Sequence, residues 1–452
     1  MKFAVRSIDL FERDVQLRLP FRFGIVTLTA APQAFARARI RLADGREAVG
    51  AAAELMAPKW FDKNPALSND ENFDQLRLSL ALARDAYLSG GSESAFGHFS
   101  AHYATLIAEG AQRGLNSLTA CYGPALIDRA LLDALCRALG ISFYRAITRN
   151  AAGIDAPEAR SFLETLRPRT SIAARHTVGL LDPISSTERR VNDGLPETLV
   201  EVLERYGHRW FKLKVGGDAK ADVERLAAIA AVLDRLPDYR VSLDGNEQYE
   251  DVEGVLELWR RMKAERRLAR LVAAVPFIEQ PIKRQHALAA SVGSLAKERP
   301  VIIDESDDSL DAFQRARELG YRGVSSKTCK GVYKAIINAA RCAAWGPAYF
   351  MTGEDLTVQA GLALQQDLAL VSLLGLTHVE RNGHHYVNGM AGLPDEEQAA
   401  FLRAHPDLYE RSHGAVRLRI TNGQLAIASL DGTGYASGAM PDWRQMRAMN
   451  VR

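Results

Sequence analysis

Residues 209–246 read RWFKLKVGGDAKADVERLAAIAAVLDRLPDYRVSLDGN, a pattern that predicts a strand, a helix and a second strand. In the first strand, side chains alternate between two faces, so Lys212 and Lys214 share one face and the apolar residues between and beside them share the other. Two neighbouring lysines on one strand face are not core packing. We therefore expect this face to carry chemistry.

The rest of the stretch predicts a strand-helix-strand unit. A turn at 216–218 ends in Asp218, a residue that caps helix N-termini, and apolar residues then recur at helical spacing. The second strand ends in Asp244 and Asn246. Two strands joined through a helix run parallel, so the unit predicts a parallel sheet.

Composition limits the class of protein. The chain has 452 residues, of which 47% are hydrophobic, and a formal net charge of +2. That length allows a barrel plus a second domain, and the balanced charge, without blocks of like sign, argues against nucleic acid or a membrane as the main partner. A small-molecule substrate is the better expectation.

Cysteine content and the N-terminal sequence indicate the compartment. Four cysteines without close pairing are too few for a disulfide framework, so we expect free thiols. The N-terminus mixes charged and apolar residues instead of forming an apolar signal region, and no stretch approaches the roughly 18 apolar residues of a transmembrane helix. These features predict a cytoplasmic protein.

Three domain-sized segments and a linker organise the chain. Residues 1–150 begin with short antiparallel strands and continue as helices from about 69, which predicts an α+β domain. Residues 150–171 have no clear period and are typical of a linker. Residues 172–390 predict an α/β fold, a parallel (β/α) barrel of TIM type, and residues 391–452 a tail whose β-like stretch 415–430 returns to the first domain.

The barrel prediction depends on eight strands that alternate with amphipathic helices. They are expected at 172–179, 208–214, 240–244, 275–279, 301–304, 323–327, 348–352 and 377–381. Catalytic residues of such barrels lie at the carboxyl ends of the strands.

Charged residues end five consecutive strands of this prediction. The second strand ends in Lys212 and Lys214, and the third to sixth end in Asp244, Glu279, Asp304 and Lys327, at intervals that suit one strand-helix unit each. Acids that converge on one mouth repel each other unless a cation neutralises them, and oxygen-only ligation suits Mg²⁺. The flanking lysines could then transfer a proton.

The motifs FKLKVGGD, VSLDGN, FIEQP, VIIDES and SSKTCKG stand in the order seen in the enolase superfamily. Lys-x-Lys on the second strand with a lysine on the sixth resembles the muconate-lactonizing subgroup of the mandelate racemase/muconate lactonizing enzyme family. The resemblance implies a capping domain built from the N-terminal part and the tail. It also implies Asp244, Glu279 and Asp304 as Mg²⁺ ligands, Lys214 and Lys327 as the acid/base pair, and Lys212 as an auxiliary group.

The same resemblance implies removal of an α-proton from a carboxylate substrate through an enediolate. Racemisation or epimerisation is the first expectation, and cycloisomerisation or β-elimination, as in dehydratases or o-succinylbenzoate synthases, is the alternative. A catalytically silent barrel that only binds a ligand is a second alternative, although both lysines and all three acids are intact. We also expect a homo-oligomer.

Two departures from the family refine these expectations. Thr352-Gly353-Glu354-Asp355 stands where the mandelate-racemase branch has a histidine, which disfavours that branch. Dipeptide epimerases carry Asp-x-Asp at the eighth strand, whereas this chain has Glu380-Arg381-Asn382. The cation at Arg381 argues against a substrate with a free ammonium and favours anionic or N-acylated substrates.

Some residues admit simpler explanations. His384 and His385 have no third ligand at suitable spacing, so we expect them to line the barrel rim or face solvent rather than bind metal. Four aromatic residues could be core or could cover the barrel mouth: Phe21, Phe23, Trp60 and Phe61. Glu305 is expected to support the metal ligands from outside.

Overall fold

A computed structural model describes residues 1–24, 26–188 and 190–449. The N-terminal region begins with three antiparallel strands, of which the first is 21 residues long and has a register irregularity between Gln16 and Phe21. The strands are β1 (Phe3–Phe23), β2 (Val26–Leu42) and β3 (Glu47–Leu55). Gly45 at φ +87° forms the turn between β2 and β3, a conformation that favours glycine.

Helices cover this sheet. They are α1 (Asn69–Ser89), α2 (Ala95–Gln112), α3 (Ser117–Leu139) and α4 (Phe143–Thr148). Ser68 and Glu71 form a reciprocal capping box that starts α1, and the Asn116 side chain accepts from the Thr119 N–H to start α3. Because α3 is buried almost throughout, it forms the centre of the N-terminal region. The segment 69–112 is thus two helices that pack on α3.

All eight predicted barrel strands are present. They are β4 (Ser171–Val178), β5 (Trp210–Lys214), β6 (Arg240–Asp244), β7 (Ile278–Glu279), β8 (Val301–Ile303), β9 (Gly323–Ser326), β10 (Phe350–Gly353) and β11 (His378–Arg381). Each strand pairs in parallel with the next, and β11 pairs with β4 to close the ring. The prediction of a closed parallel barrel is confirmed.

The barrel helices follow the expected alternation. They are α5 (Leu199–Tyr206), α6 (Ala219–Leu233), α7 (Val252–Ala264), α8 (Ala269–Ala273), α9 (Arg284–Ala287), α10 (Gly293–Ala296), α11 (Ala312–Glu318), α12 (Val332–Trp345), α13 (Leu362–Leu373) and α14 (Gly383–Tyr386). The Asp218 side chain accepts from the N–H groups of Lys220 and Ala221, so the predicted cap of α6 is confirmed.

The tail contacts both parts of the chain. Its elements are α15 (Asp395–Ala404), β12 (Tyr409–Ser412), β13 (Ala415–Leu418), β14 (Gln424–Ala426) and β15 (Arg447–Ala448). The stretch 415–430, expected to return to the first domain, instead contributes β13 to a hairpin with β12 and pairs with the barrel through β14, which lies antiparallel to β4. The tail reaches the N-terminal region further on, where Tyr435 stacks on Phe143 and β15 pairs with β1.

The structure also bears on the expectations for the cysteines and for membrane-spanning helices. The four cysteines, all within the described part of the chain, are free thiols. Among the residues that the structure describes, no helix combines the length and the apolar character that a membrane crossing requires.

Candidate active site

The barrel interior is organised around one ammonium group. Lys212 lies on the inner face of β5, with 1% of its side chain exposed, and its Nζ contacts carboxylates from four strand ends. The distances are 2.8 Å to Asp244 Oδ2, 2.8 Å to Glu279 Oε1, 2.9 Å to Glu354 Oε2 and 3.2 Å to Glu380 Oε2. One lysine thus draws together acids from β6, β7, β10 and β11.

Lys214 lies one pleat further along the same face, as the sequence predicted. Its Nζ donates to Asp244 Oδ2 at 2.6 Å, and the backbone N–H of Asn246 donates to Asp244 Oδ1 at 2.8 Å. Asn246 also donates its side-chain amide to Glu305 Oε1 at 3.3 Å. Glu305 therefore acts on Asp244 through Asn246, which hydrogen-bonds to both carboxylates.

Asp304 has a separate set of cationic partners. Its carboxylate accepts from the ammonium of Lys327 and from the hydroxyl of Ser325, and Lys330 Nζ lies 3.4 Å from Oδ1. The Gln280 side chain fixes the loop, because its Oε1 accepts the backbone N–H of Asp304 at 2.8 Å. The acid that ends the fifth strand is thus held by the sixth strand.

The N-terminal region covers the mouth of the barrel. Phe21, Phe23 and Trp60 line one cavity together with Lys212, Lys214, Lys327, Asn246, Asp355, Glu380 and Asn382. Lys327 Nζ lies 4.4 Å from the centre of the Trp60 ring, within cation–π range. Of the four aromatic residues left open, these three therefore face the cavity, whereas Phe61 packs between Trp60 and Tyr122.

Hydrogen bonds from two cationic side chains hold the loop that carries Trp60. Arg284 donates to the carbonyl oxygens of Trp60 and Phe61 at 2.8 and 2.9 Å, and it also binds Glu247 at 2.8 Å. Lys63 from the same loop donates to Asn246 O at 2.7 Å. The loop is therefore bound to residues that follow β6 and β7.

Burial and neighbouring charges set the protonation states. Burial opposes the charge on Lys212, but the four carboxylates outweigh it and raise its pKa well above the ordinary lysine value. Likewise, burial opposes the charge on Lys327, but Asp304 raises its pKa. Burial and the nearby Glu354 raise the pKa of Glu279 well above its usual range. Lys212 and Lys327 are thus ammonium groups in this arrangement.

Arg175 and Lys330 were not singled out from the sequence, and Glu354 was named only as a departure from the mandelate-racemase branch. Arg175 on β4 donates to Glu354 and contacts His378 Nδ1 at 2.8 Å, and Lys330 joins the Asp304 group. A signal existed for Arg175, because it is a charged residue inside a predicted barrel strand. Glu354 directly follows β10, which ends one residue later than the predicted strand.

The reason given against substrates with a free ammonium is wrong. Arg381 lies on the outer face of β11, where its guanidinium donates to Asp367 and lies 4.0 Å from Asp355. The residues on either side of it, Glu380 and Asn382, face the cavity instead. The pleat of the strand therefore removes this cation from the site.

The reason given against a metal role for His384, that no third ligand lies near it, does not hold. Its ring lies against two other histidines that the sequence did not connect to it, His176 and His208, and the three offer ligand atoms within 4.8 Å of one another. His385 is buried rather than exposed.

The donors at the barrel mouth fit a hard divalent cation. Asp244, Glu279 and Asp304 supply only oxygen atoms, and they are buried at the ends of three adjacent strands. In the described part of the chain, Glu279 Oε2 is buried without a hydrogen-bond partner. Since Lys214 engages Asp244 and Lys327 engages Asp304, an ion held there would compete with these ammonium groups.

A closed parallel barrel with acids and lysines at the carboxyl ends of its strands defines a (β/α)-barrel protein with an enzyme-like site. The profile of the family described as enolase C-terminal domain-like (MR_MLE_C) matches residues 195–436, more than half of the chain. The chain belongs to this family. Its membership confirms the resemblance that the sequence motifs indicated.

Two curated relatives are isomerases. The chain is 28% identical over 277 residues to a hydrophobic dipeptide epimerase of Citrifermentans bemidjiense, a match that spans 60% of each protein. It is 26% identical over 314 residues to muconate cycloisomerase 1-2 of Acinetobacter lwoffii, covering 69% of this chain and 67% of the relative.

Solved structures share the fold. A muconate lactonizing enzyme from Mucobacterium smegmatis, complexed with muconolactone, superposes with a TM-score of 0.63 at 18% identity and 98% coverage of both chains. An enolase from Bradyrhizobium, complexed with magnesium and mandelic acid, gives 0.62 at 16% identity and 98% coverage of both. Structural relatives therefore include proteins that bind magnesium.

Lys212→Met tests the central ion cluster. The variant leaves four buried carboxylates without their shared cation, so we expect the free energy of unfolding to fall by about 3–5 kcal/mol at pH 8. The loss should shrink at pH 5, because Glu279, whose folded-state pKa is raised well above its usual range, becomes protonated there and no longer needs the cation. Urea unfolding of the parent and the variant at pH 8 and pH 5 measures the difference in the free energy of unfolding.

Lys2→Met is the matched control. Lys2 pairs with Glu93 at 3.1 Å, but both side chains are largely exposed, so the change should stay within about 1 kcal/mol. A Lys212→Met variant as stable as Lys2→Met would show that the cluster does not depend on this ammonium.

Proposed function

We propose that this chain is a Mg²⁺-dependent enzyme that removes the α-proton of a small carboxylate substrate and returns a proton to the opposite face, as a racemase or epimerase. One observation carries the proposal: Lys214 and Lys327, on the second and sixth strands of eight, line the same cavity. Strands in these positions lie opposite each other in the ring. A substrate between them would present one face of its α-carbon to each lysine.

Each residue has a role that follows from its surroundings. Lys214 and Lys327 hold or accept the proton, one on each face. Asp244, Glu279 and Asp304 would hold Mg²⁺, which, when bound, supplies positive charge for the enediolate of the substrate carboxylate. Lys212 stays protonated among its four acids and adds a fixed positive charge.

Metal binding and lysine activity should be linked. In the structure Lys214 is tied to Asp244 and Lys327 to Asp304. An ion held by these acids would compete with each lysine for its anionic partner. Both amines would then be free to face the substrate.

Cycloisomerisation or β-elimination is the alternative, supported by the similarity to a muconate cycloisomerase. These reactions need one lysine to exchange the proton, because the enediolate then expels or adds a group within the substrate. The alternatives therefore differ in whether both lysines are required. A binding protein without catalysis is distinguished more simply, since it would exchange no proton with any substrate.

Asp244→Asn tests the metal site. Removing one of three anionic oxygen ligands should weaken Mg²⁺ binding at least about 10-fold, as read by calorimetric titration of the purified chain. Asp238→Asn is the control, because Asp238 is exposed and lies before β6 rather than after it. Equal Mg²⁺ affinities for the Asp244→Asn variant and the parent would remove Asp244 from the site.

Lys214→Ala and Lys327→Ala test the two-base arrangement. The parent is first screened in deuterated solvent with N-acyl amino acids, dipeptides and dienoic diacids, and mass spectrometry identifies the carboxylates that take up deuterium. With the best substrate, both variants should lose racemisation by at least about 10³-fold. Residual α-proton exchange should be confined to opposite enantiomers in the two variants.

The exposed Lys220→Ala serves as the control and should keep the parental rate. If one lysine variant retains turnover near the parental rate, the one-base alternatives replace the racemase. If neither the parent nor Lys220→Ala introduces deuterium into any of the carboxylates, the proposal that this chain is an enzyme of this kind is contradicted.

The charge of the substrate amine is a further part of the proposal. Glu380 is the acid of the eighth strand that faces the cavity, but its carboxylate already accepts four hydrogen bonds, from Thr177, Asn382, Lys212 and the Asp355 backbone. A carboxylate offers about four lone-pair sites, so none remains for a substrate ammonium. Because Glu380 has no free acceptor site, the proposal favours substrates whose amine is acylated or absent. This reason replaces the earlier one, which was the positive charge of Arg381.

Asn382→Asp tests this specificity. The substitution places a second carboxylate beside Glu380, where it replaces a donor by a repelling charge that a substrate ammonium would neutralise. We expect the ratio of kcat/KM for a free dipeptide to that for an N-acyl amino acid to rise about 10-fold or more. A parent chain that already prefers free dipeptides would contradict the argument.

A further inference from the structure

A group of histidines lies on the other side of the barrel wall from the active site. His176 is in the middle of β4, between Arg175 and Thr177, which face the barrel interior. His208 lies just before β5, and His384 belongs to α14, just after β11. The three residues therefore lie in or beside β4, β5 and β11, the neighbouring strands at which the barrel closes.

The ring nitrogens of this group converge. One ligand atom from each of the three histidines lies within 4.8 Å of the others, and His176 Nδ1 is 3.3 Å from His384 Nε2. Two nitrogens bound to one tetrahedral Zn²⁺ at about 2.0–2.1 Å are themselves about 3.3 Å apart. The closest pair thus already has the separation that a shared metal ion requires.

His208 is oriented as metal-binding histidines are. Its Nδ1 lies 3.0 Å from the carbonyl oxygen of Ala174, which can only accept, so Nδ1 carries the proton. The opposite nitrogen, Nε2, then has a free lone pair, and it is buried without a hydrogen-bond partner in the parts of the chain that the structure describes. A backbone carbonyl that fixes the tautomer in this way is typical of ligating histidines.

The surroundings keep the imidazoles neutral, which ligation requires. Burial lowers the pKa of all three histidines, that of His208 to about 4. Arg381 and Arg18 are the nearby cations that oppose a metal ion at His384, but both guanidinium groups are paired, that of Arg381 with Asp367 and that of Arg18 with Asp193 at 2.5 and 2.8 Å.

We propose that His176, His208 and His384 form a binding site for a transition-metal dication such as Zn²⁺. Nδ1 of His176 and Nε2 of His208 and His384 are the ligands, and water completes the tetrahedron. Three neutral nitrogen donors favour Zn²⁺ over Mg²⁺, whereas the acids of the active site have the opposite preference. The metal is structural: it ties the start of β5 and the segment after β11 to β4. This site is independent of the proposed reaction.

The competing explanation is a buried N–H···N hydrogen bond between neutral rings, with no metal affinity. Metal titration of the full chain separates the two. The chain is stripped with a chelator, saturated with Mg²⁺ and titrated with Zn²⁺ by calorimetry, and with Co²⁺ by visible absorption, because cobalt bands report low-coordinate nitrogen ligation. We expect one Zn²⁺ equivalent beyond Mg²⁺, a Tm that rises with Zn²⁺, and intense cobalt bands.

Variants locate the site. His208→Gln and His384→Gln should each weaken Zn²⁺ binding by at least about 10-fold and abolish the cobalt bands. His286→Gln, at an exposed histidine, and Asp244→Asn, in the active site, should both retain the Zn²⁺ equivalent. Retention in Asp244→Asn shows that the ion is not in the active site.

Two results would overturn the proposal. One is a parent chain that takes up no Zn²⁺ equivalent in the presence of Mg²⁺, a result that needs no variant to fold. The other is unchanged Zn²⁺ affinity in both His208→Gln and His384→Gln, with circular dichroism showing both folded.

Discussion

The ammonium of Lys212 is the interaction on which the barrel interior depends. Removing an ion from water costs several kcal/mol even after relaxation, and four carboxylates lie around this one amine. An apolar barrel core would avoid that cost altogether. A chain that keeps so many buried charges at the carboxyl ends of its strands therefore gives up stability for a charged site.

Charge balance in the interior limits what can change there. Arg175 supports Glu354, Lys214 and Lys212 share Asp244, and Lys330 supports Asp304 beside Lys327. Several of these ions share partners, so the loss of one charge changes the balance around more than one buried ion. An ion or substrate that enters must consequently rearrange several pairs at once, which couples metal binding, lysine protonation and substrate charge in the proposed reaction.

The sequence predicted what local patterns encode. Alternating strands and helices gave the eight barrel strands, and the residue that ends each strand gave Lys214, Asp244, Glu279 and Lys327, which the structure places around the interior. Features that depend on remote pairing were not predictable. The partner of β14 is β4 rather than the N-terminal sheet, and His176, His208 and His384 are far apart in the chain. The position of Arg381 was predictable, because successive side chains of a strand point to opposite faces, so Arg381 and Glu380 cannot both face the barrel interior.

Strand β4 shows how two unlike sites can share one wall. Arg175 and Thr177 face inward to Glu354 and Glu380, and His176 faces outward to His208 and His384. A slip of one residue in its pairing with β11 would exchange these faces, placing a neutral imidazole among the acids and an arginine among the histidines. Each of these two misplaced side chains would leave buried groups unpaired. The two sites together therefore fix the register at which the barrel closes. The histidines therefore contribute to the active site through the position of the strand and not through contact.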